Sequence, residues 1–385
     1  MEAIMKIIIG TSSNFEIGGV NSYMNTLNDS LIKQGLESEL LFPNQTTSIW
    51  KMRSLIKSYG NRDKARCELV ELRKGNIEKK LRNKIENSSL KNEKILVHAQ
   101  DIIFANTIKN NDFPLILTVH GPTSREAVMS NKSGELYSKY LIENERQAFK
   151  KADHIIAVDT GQKNIVIEDF GISPDKISVI LNSVDVEVFK PKKVLENKKN
   201  IFLVPRRLVP KNGVDVAIKA FENLKNNECE LWIAGDGPEK EKLKQMVCDM
   251  QLDDHVKFLG TVKTEEMVNL INQSTGVIIP SVPVNGVVEA SSISALEGMS
   301  VGKPVIASDI GGLSELISHE ENGLLFKSGE AKELANLVLK TIEDTTLREK
   351  LSYMARKVVI EQFSSEIWVK KKMEIYEQAL SKYYI

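Results

Sequence analysis

The stretch Glu289-Ala-Ser-Ser-Ile-Ser-Ala-Leu-Glu297, continued by Gly298-Met-Ser-Val-Gly302-Lys-Pro304-Val-Ile-Ala-Ser308, reads as a helix, a turn and a strand. Helical character runs from about Ser291 to Met299, and Pro304 opens an apolar run. Glu289 falls just before the helix N-terminus. Glu297 lies about two turns in and points the same way, because eight residues rotate about 800°. Between them, the free N–H groups of Ser291, Ser292 and Ile293 face an anion. A carboxylate accepts from two vicinal hydroxyls at once. The pattern therefore suits a ligand with hydroxyls at both ends and phosphate in the middle, the layout of a sugar nucleotide. An exposed Glu289 and an ion-paired Glu297, with no ligand, is the competing reading.

Outward from this unit, short β-branched runs alternate with helical stretches along the whole chain. The first half offers strands at Lys6–Ile9, Glu39–Phe42, Ile95–His98, Leu115–Val119, His154–Val158 and Ile177–Leu181. The second half offers Ile201–Val204, Glu230–Ala234, Val256–Leu259, Gly276–Ile279, Pro304–Ala307 and Leu324–Phe326. Several are apolar at consecutive positions, the pattern of strands covered on both faces. Strand–helix alternation implies right-handed βαβ units and parallel sheets. The polar stretch Val186–Asn200 is expected to be the linker. The expected division is an α/β domain over 1–188, a second over 189–360, and a terminal helix over 361–385 that packs back across the junction. Phe363, Ile367, Trp368, Ile375 and Tyr376 mark one face of that helix.

A chain of 385 residues is too long for one small core and favours two domains. Its 42% apolar and 27% charged residues are those of a globular protein, and a net charge of zero gives no global pull toward nucleic acid. Cys67, Cys229 and Cys248 form no metal-type spacing and read as reduced thiols. No apolar run approaches the roughly 20 residues of a membrane helix, so a cytoplasmic location is expected. No GxGxxG follows Gly10 or Gly18, which disfavours a dinucleotide-dependent dehydrogenase.

The Glu-x7-Glu segment, the Gly-Lys-Pro-Val-Ile-Ala-Ser run and Gly311-Gly312-Leu-Ser-Glu315-Leu together resemble the signature of retaining glycosyltransferase family 4. Further positions agree in order: Gly18-Gly19-Val20, His120-Gly121, Asn182-Ser-Val-Asp185, Arg206-Arg207-Leu-Val-Pro-Lys211-Asn212-Gly213, and Gly235-Asp-Gly237-Pro238. The resemblance implies the GT-B fold, two doubly wound Rossmann-like domains facing a cleft. It implies transfer of a sugar from a UDP- or GDP-type donor to an acceptor hydroxyl, in glycan, glycolipid or glycoconjugate biosynthesis. By resemblance, Glu289 holds sugar hydroxyls, Glu297 holds the ribose, His120 lies near the transferred sugar, and a basic pair carries the diphosphate. Arg207 and Lys211, at the end of a parallel strand, are the expected pair. The family's lysine usually directly precedes the glycine, where this chain has Asn212, so either Lys211 or Asn212 faces the diphosphate. Gly18, Gly19 and Gly237 are expected to allow close approach of the donor, although Gly237 also reads as a simple tight turn. The loop Val282–Val288 could form a lid. No metal or other cofactor is expected. Retention by front-face attack needs no protein nucleophile. A sugar-nucleotide epimerase of the same fold and a catalytically silent nucleotide-binding subunit are the rival classes.

Residues 51–94 hold 14 Lys or Arg against 6 Asp or Glu. Met52, Leu55, Ile56 and Tyr59 recur at helical spacing, as do Ile77, Leu81 and Ile85. Peripheral contact with an anionic membrane is expected of this stretch, against the alternative of solvated surface helices.

Overall fold

The computed structural model describes residues 5–13, 19–86, 94–109, 112–129, 134–193, 199–225 and 227–384. It contains two six-stranded parallel sheets. The first holds β1 (Met5–Gly10), β2 (Glu37–Leu41), β3 (Lys94–Ala99), β4 (Leu115–Val119), β5 (His154–Ala157) and β6 (Ile177–Val179), in the order β2-β1-β3-β4-β5-β6. The second holds β7 (Asn200–Val204), β8 (Cys229–Ala234), β9 (Val256–Gly260), β10 (Gly276–Ile279), β11 (Val305–Ser308) and β12 (Leu324–Phe326), in the order β12-β11-β10-β7-β8-β9. Each order reverses once, between β1 and β3 in the first sheet and between β7 and β10 in the second. Ligands of doubly wound folds bind beyond the carboxyl ends of the strands at such a reversal.

Consecutive apolar residues are explained by the two faces of each strand. Phe202, Val204, Leu231, Ile233, Ile278 and Ile306 enter one core. Their neighbours Leu203, Val277, Ile279, Val305 and Ala307 enter another on the opposite face. In the first sheet Ile8, Val97, Leu117 and Ile155 share a core, while Ile7, Ile9, Leu96 and Ile116 are equally buried on the other side. Each such side chain contributes about 1.5–3 kcal/mol.

The compact units are Met1–Ile180 with Trp368–Ile385, and Leu181–Ile367. The boundary therefore lies eight residues before the expected 188/189 division, and Val186–Lys193 is not a free linker. Asn182 N donates to Ser291 Oγ at 2.9 Å, and Val184 pairs with Ser364, which fastens this segment to the second unit. Lys192 N likewise donates to Asn272 Oδ1 at 2.6 Å. The terminal helix is Ser365–Tyr383, preceded by a wide turn over Val359–Phe363, so Phe363 stands outside it. From Trp368 onward it belongs to the first unit, where Tyr376 Oη lies 2.7 Å from His98 Nδ1. No helix among the described residues is long and apolar enough to cross a membrane.

Candidate active site

In the second unit the sheet reversal gathers three pieces of chain. Beyond β7 comes Arg206, beyond β10 come Pro280 and Ser281, and the loop to helix Ile293–Ser300 carries Glu289. Arg206 holds them together. Its Nη2 lies 2.7 Å from Glu289 Oε2, 2.6 Å from Asn212 Oδ1 and 3.2 Å from Ser281 Oγ, and its Nη1 donates to Ser292 Oγ at 3.2 Å. Its Nε is buried without an acceptor. The side chains of Arg206 and Glu289 are only 9% and 10% exposed, so this is a desolvated ion pair at the strand ends.

Arg207, the arginine expected in this position, is exposed and stands outside that network. Two adjacent residues of an extended segment point to opposite sides. Only the folded loop decides that Arg206 faces the crevice. The loop is pinned by Leu208 N donating to Asp236 O at 3.0 Å, and by Asn212 Nδ2 donating to Arg207 O at 2.7 Å. Asn212 is thus a buried strut between Arg206 and the Arg207 carbonyl. Lys211 is half-buried in the turn Pro210–Asn212, and its carbonyl accepts from Val282 N at 2.9 Å. A Cβ at Gly237 would strike the Leu208 carbonyl, so this glycine is required by loop packing. Turn geometry accounts for it without a ligand.

Helix Ile293–Ser300 starts two residues later than expected and is capped by Ser292, whose Oγ accepts from Ala295 N at 3.4 Å. Its first amides, Ile293 and Ser294, precede the intrahelical ladder and present donors to the crevice. Ser291 is turned the other way: its Oγ and carbonyl accept from Asn182 N and Nδ2 at 2.9 and 2.5 Å. Burial pushes the Glu297 carboxyl up to about 8. The segment Val282–Val288, expected as a lid, folds as a small hairpin with Val284 and Val287 exchanging bonds at 3.0 and 2.9 Å. Asn285 and Gly286 both have positive φ there, as a two-residue hairpin loop requires.

Gly311 fixes the height of Glu289. Its φ is 51°, and a Cβ there would fall against the Glu289 carbonyl. Gly312 N meanwhile donates to that carbonyl at 3.1 Å. Gly311→Ala is expected to cost at least about 1–2 kcal/mol from the left-handed backbone alone, read as a lowered urea midpoint. A midpoint equal to the parent's would show that Glu289 does not depend on this contact.

The first unit carries its own cluster at strand ends. Thr11 Oγ1 and Ser12 N donate to Asp101 Oδ2 at 2.7 and 2.5 Å, joining the ends of β1 and β3. His120, after β4, has Nε2 3.0 Å from Gln100 Oε1 and its ring edge-to-face with Tyr23 at 4.6 Å. Burial, then the nearby Lys372, push His120 down to about 3, so its imidazole is neutral. Gly19 opens the helix Gly19–Lys33, and among the described residues outside its own helix turn a Cβ there would meet no atom within 4 Å. Gly18 lies outside the described residues. Among the described residues, no three His, Cys, Asp or Glu side chains gather as a metal-ligand set.

Two family models match adjoining parts of this chain: Glycosyltransferase Family 4 over residues 17–188 and Glycosyl transferases group 1 over 185–358. The chain belongs to this glycosyltransferase family. An uncharacterized glycosyltransferase of Methanocaldococcus jannaschii is 28% identical to the transferase over 278 residues, 69% of each chain. The MMP alpha-(1->4)-mannosyltransferase of Mycolicibacterium hassiacum is 22% identical, over 70% of this chain and 66% of its own. Among solved structures, sucrose-phosphate synthase of Thermosynechococcus elongatus superposes with a TM-score of 0.76 at 18% identity, covering 98% of this chain and 100% of that one. Anabaena HepE, solved in complex with UDP and glucose, superposes with a TM-score of 0.69 at 20% identity, covering 97% and 99%. These structural likenesses establish the GT-B fold of the transferase.

Proposed function

We propose that the transferase moves a sugar from a nucleoside diphosphate to an acceptor hydroxyl with retained anomeric configuration. The observation that carries the reading is the desolvated Arg206–Glu289 pair at the sheet reversal, beside the free N-terminus of helix Ile293–Ser300. A diphosphate leaving group gains negative charge as the glycosidic bond breaks. Arg206, its orphan Nε, Lys211 and the first helix amides would stabilise that charge where it develops. Glu289 would orient the sugar hydroxyls, and Glu297 the ribose. His120, as a neutral imidazole, would give or accept a hydrogen bond at the sugar without carrying charge. We propose no metal, because fixed cations and amide dipoles supply the electrostatics, and no protein nucleophile. HepE's complex with UDP and glucose supports a nucleotide-sugar partner. The acceptor we propose belongs to glycan, glycolipid or glycoconjugate synthesis on the cytoplasmic side, with contact to an anionic membrane through part of 51–94.

A thermal-shift panel of nucleoside diphosphate sugars tests the donor, since a ligand at 100-fold over its dissociation constant stabilises by roughly 2.7 kcal/mol. Product analysis without acceptor separates hydrolysis from epimerisation and from silent binding. The panel fails the proposal if no nucleoside diphosphate sugar raises the midpoint.

The raised carboxyl of Glu297 supplies a pH signature. Ribose hydroxyls donate more strongly to its ionised form than to the neutral acid, so a bound nucleoside diphosphate favours ionisation. At pH 7, below the value of about 8, binding should release a proton, and affinity should rise with pH until the group is ionised in the free protein. Calorimetry in buffers of different ionisation enthalpy reads the released proton. Glu297→Gln should abolish that release and weaken nucleoside diphosphate by roughly tenfold, the loss of one charge-assisted bond. Glu289→Gln should spare the diphosphate and impair transfer. Equal loss of diphosphate affinity in both variants would overturn this division of roles.

A further inference from the structure

Helix Ser48–Lys57 has its two faces inverted for a globular surface. The side chain it buries is Ser54, 0% exposed, followed just past its end by Ser58 at 4%. Each serine satisfies its own hydroxyl on the local backbone, Ser54 Oγ to Lys51 O at 2.8 Å and Ser58 Oγ to Leu55 O at 3.0 Å. Ile49, Met52 and Ile56 are instead 75%, 64% and 71% exposed, with Leu55 also outward and Tyr59 at 98%. At about 100° per residue, Ile49, Met52, Leu55 and Ile56 fall within an arc of about 120° opposite Ser54. The helix contains no acidic residue. Arg53 and Lys57 border the apolar arc on one side and Lys51 on the other; all three are exposed, and Lys57 Nζ reaches Glu68 Oε2 at 3.4 Å in a surface pair that salt and water screen.

Charge decides what covers this face. Residues 48–66 hold six Lys or Arg and a single acid, Asp63. Asp63 is already engaged by Arg66 at 3.3 Å and by Gly134 N at 3.0 Å. A second copy of the chain paired through this face would set bases against bases. An apolar stripe edged by cations on both sides fits a bilayer with anionic headgroups, with the helix lying in the plane of the interface.

The next helix, Arg62–Glu86, does not share this character. Its Ile77 and Leu81 are buried in the core. Four of its bases have partners of their own: Lys80 the Phe42 carbonyl at 2.9 Å, Arg82 Glu78 at 3.3 Å, Lys74 Glu71 at 2.9 Å, and Lys84 Glu39. Among the described residues of the basic stretch, the exposed large apolar side chains belong to helix Ser48–Lys57 and to Tyr59 just past it.

We propose that helix Ser48–Lys57, with Tyr59, docks the protein onto an anionic lipid surface by inserting Ile49, Met52, Leu55 and Ile56 among the acyl chains and setting Lys51, Arg53 and Lys57 at the headgroups. The inference rests on the membrane contact proposed above and not on its donor chemistry.

Vesicle co-sedimentation of the full chain tests it, with neutral phosphatidylcholine and with phosphatidylcholine containing phosphatidylglycerol, each at low and high salt. Binding is expected to the anionic vesicles at low salt, with at least a tenfold weaker partition on neutral ones or at high salt. The triple change Ile49→Ser, Met52→Ser, Ile56→Ser should cut partition at least tenfold, and because these side chains are exposed its thermal midpoint should match the parent's. Lys51→Glu, Arg53→Glu, Lys57→Glu should cut it as much, whereas Lys79→Glu with Arg82→Glu should leave it within twofold. Failure to bind anionic vesicles at low salt overturns the proposal. So does binding that survives the serine changes, or a solution dimer that those changes abolish in a chain with no affinity for vesicles. A nucleoside diphosphate thermal shift retained in the serine variant keeps a failure here distinct from a failure of the donor reading.

Discussion

Arg206→Ala is expected to lower turnover by about 10²–10³-fold, the usual loss on removing a fixed charge stabiliser, while Arg207→Ala stays near the parent rate. The guanidinium of Arg206 meets four side chains, Glu289, Asn212, Ser281 and Ser292. A lysine has three donors on one atom and cannot reproduce that fork, so Arg206→Lys should remain slow despite keeping its charge. Stability must be separated from chemistry, because removing one partner of a buried ion pair strands the other and costs about 3–5 kcal/mol. Arg206→Ala combined with Glu289→Ala removes both charges. Its urea midpoint should recover much of that loss, while donor consumption stays slow. Lys211→Ala should fall between, since this lysine is half-buried in the turn Pro210–Asn212 beside the Arg206 partner Asn212. Near-parent donor consumption in a folded Arg206→Ala protein would remove Arg206 from the site. A large loss in Arg207→Ala would restore the arginine that the sequence favoured.

The second large effect is expected at Lys372, which is fully buried in the first unit. Its Nζ lies 2.8 Å from Tyr23 Oη, 4.2 Å from the centroid of Trp368 and 5.1 Å from that of Tyr23. Tyr23 continues through Thr118 to His98 and Tyr376, at 3.1, 2.7 and 2.7 Å. Among the described residues no carboxylate pairs with Lys372. Two aromatic faces attract an ammonium by about 2 kcal/mol or somewhat more when desolvated, but removing it from water costs several kcal/mol. Desolvation wins, and holds the amine well below the ordinary lysine range. Between the lowered folded value and the unfolded value of about 10.4 the unfolded chain holds more of this proton than the folded chain, so over that interval stability rises with pH. Lys372→Met, of similar length and apolar, should stabilise the protein by about 1–4 kcal/mol near pH 7, with the gain shrinking as pH approaches 10. Urea midpoints at pH 7 and pH 10 read the difference. A gain that is constant across this range would mean the amine is charged in the folded protein.

The twelve strands were legible because a doubly covered parallel strand has to be apolar on both faces, and runs such as Ile7-Ile-Ile9 and Val305-Ile-Ala307 satisfy that whatever surrounds them. The two carboxylates were legible as a Glu-x7-Glu motif, but Glu289 lies in the loop four residues before helix Ile293–Ser300, so helix periodicity does not set its direction relative to Glu297. Which arginine joins the buried network with Glu289 was not legible. Arg206 and Arg207 are chemically identical and adjacent, and the loop that carries them is held by Asp236 and Asn212, contacts that only the fold supplies. Asn212 looked like a ligand contact and is a strut, because its partners are the Arg206 guanidinium and a backbone carbonyl. Composition marked the basic stretch 51–94 but could not distribute it. Four bases of helix Arg62–Glu86 have partners that lie up to 45 positions away in the sequence, as Glu39 does for Lys84. Sequence by itself determined what depends on period and on residue type: the strands, the helix at 293–300, the family. Tertiary structure alone decided direction: which of two neighbouring side chains turns inward, and which face of a helix is left to solvent. Orientation at an element's end or on an unpacked surface is not set by local periodicity. It is set by the packing of distant residues that fixes the loop.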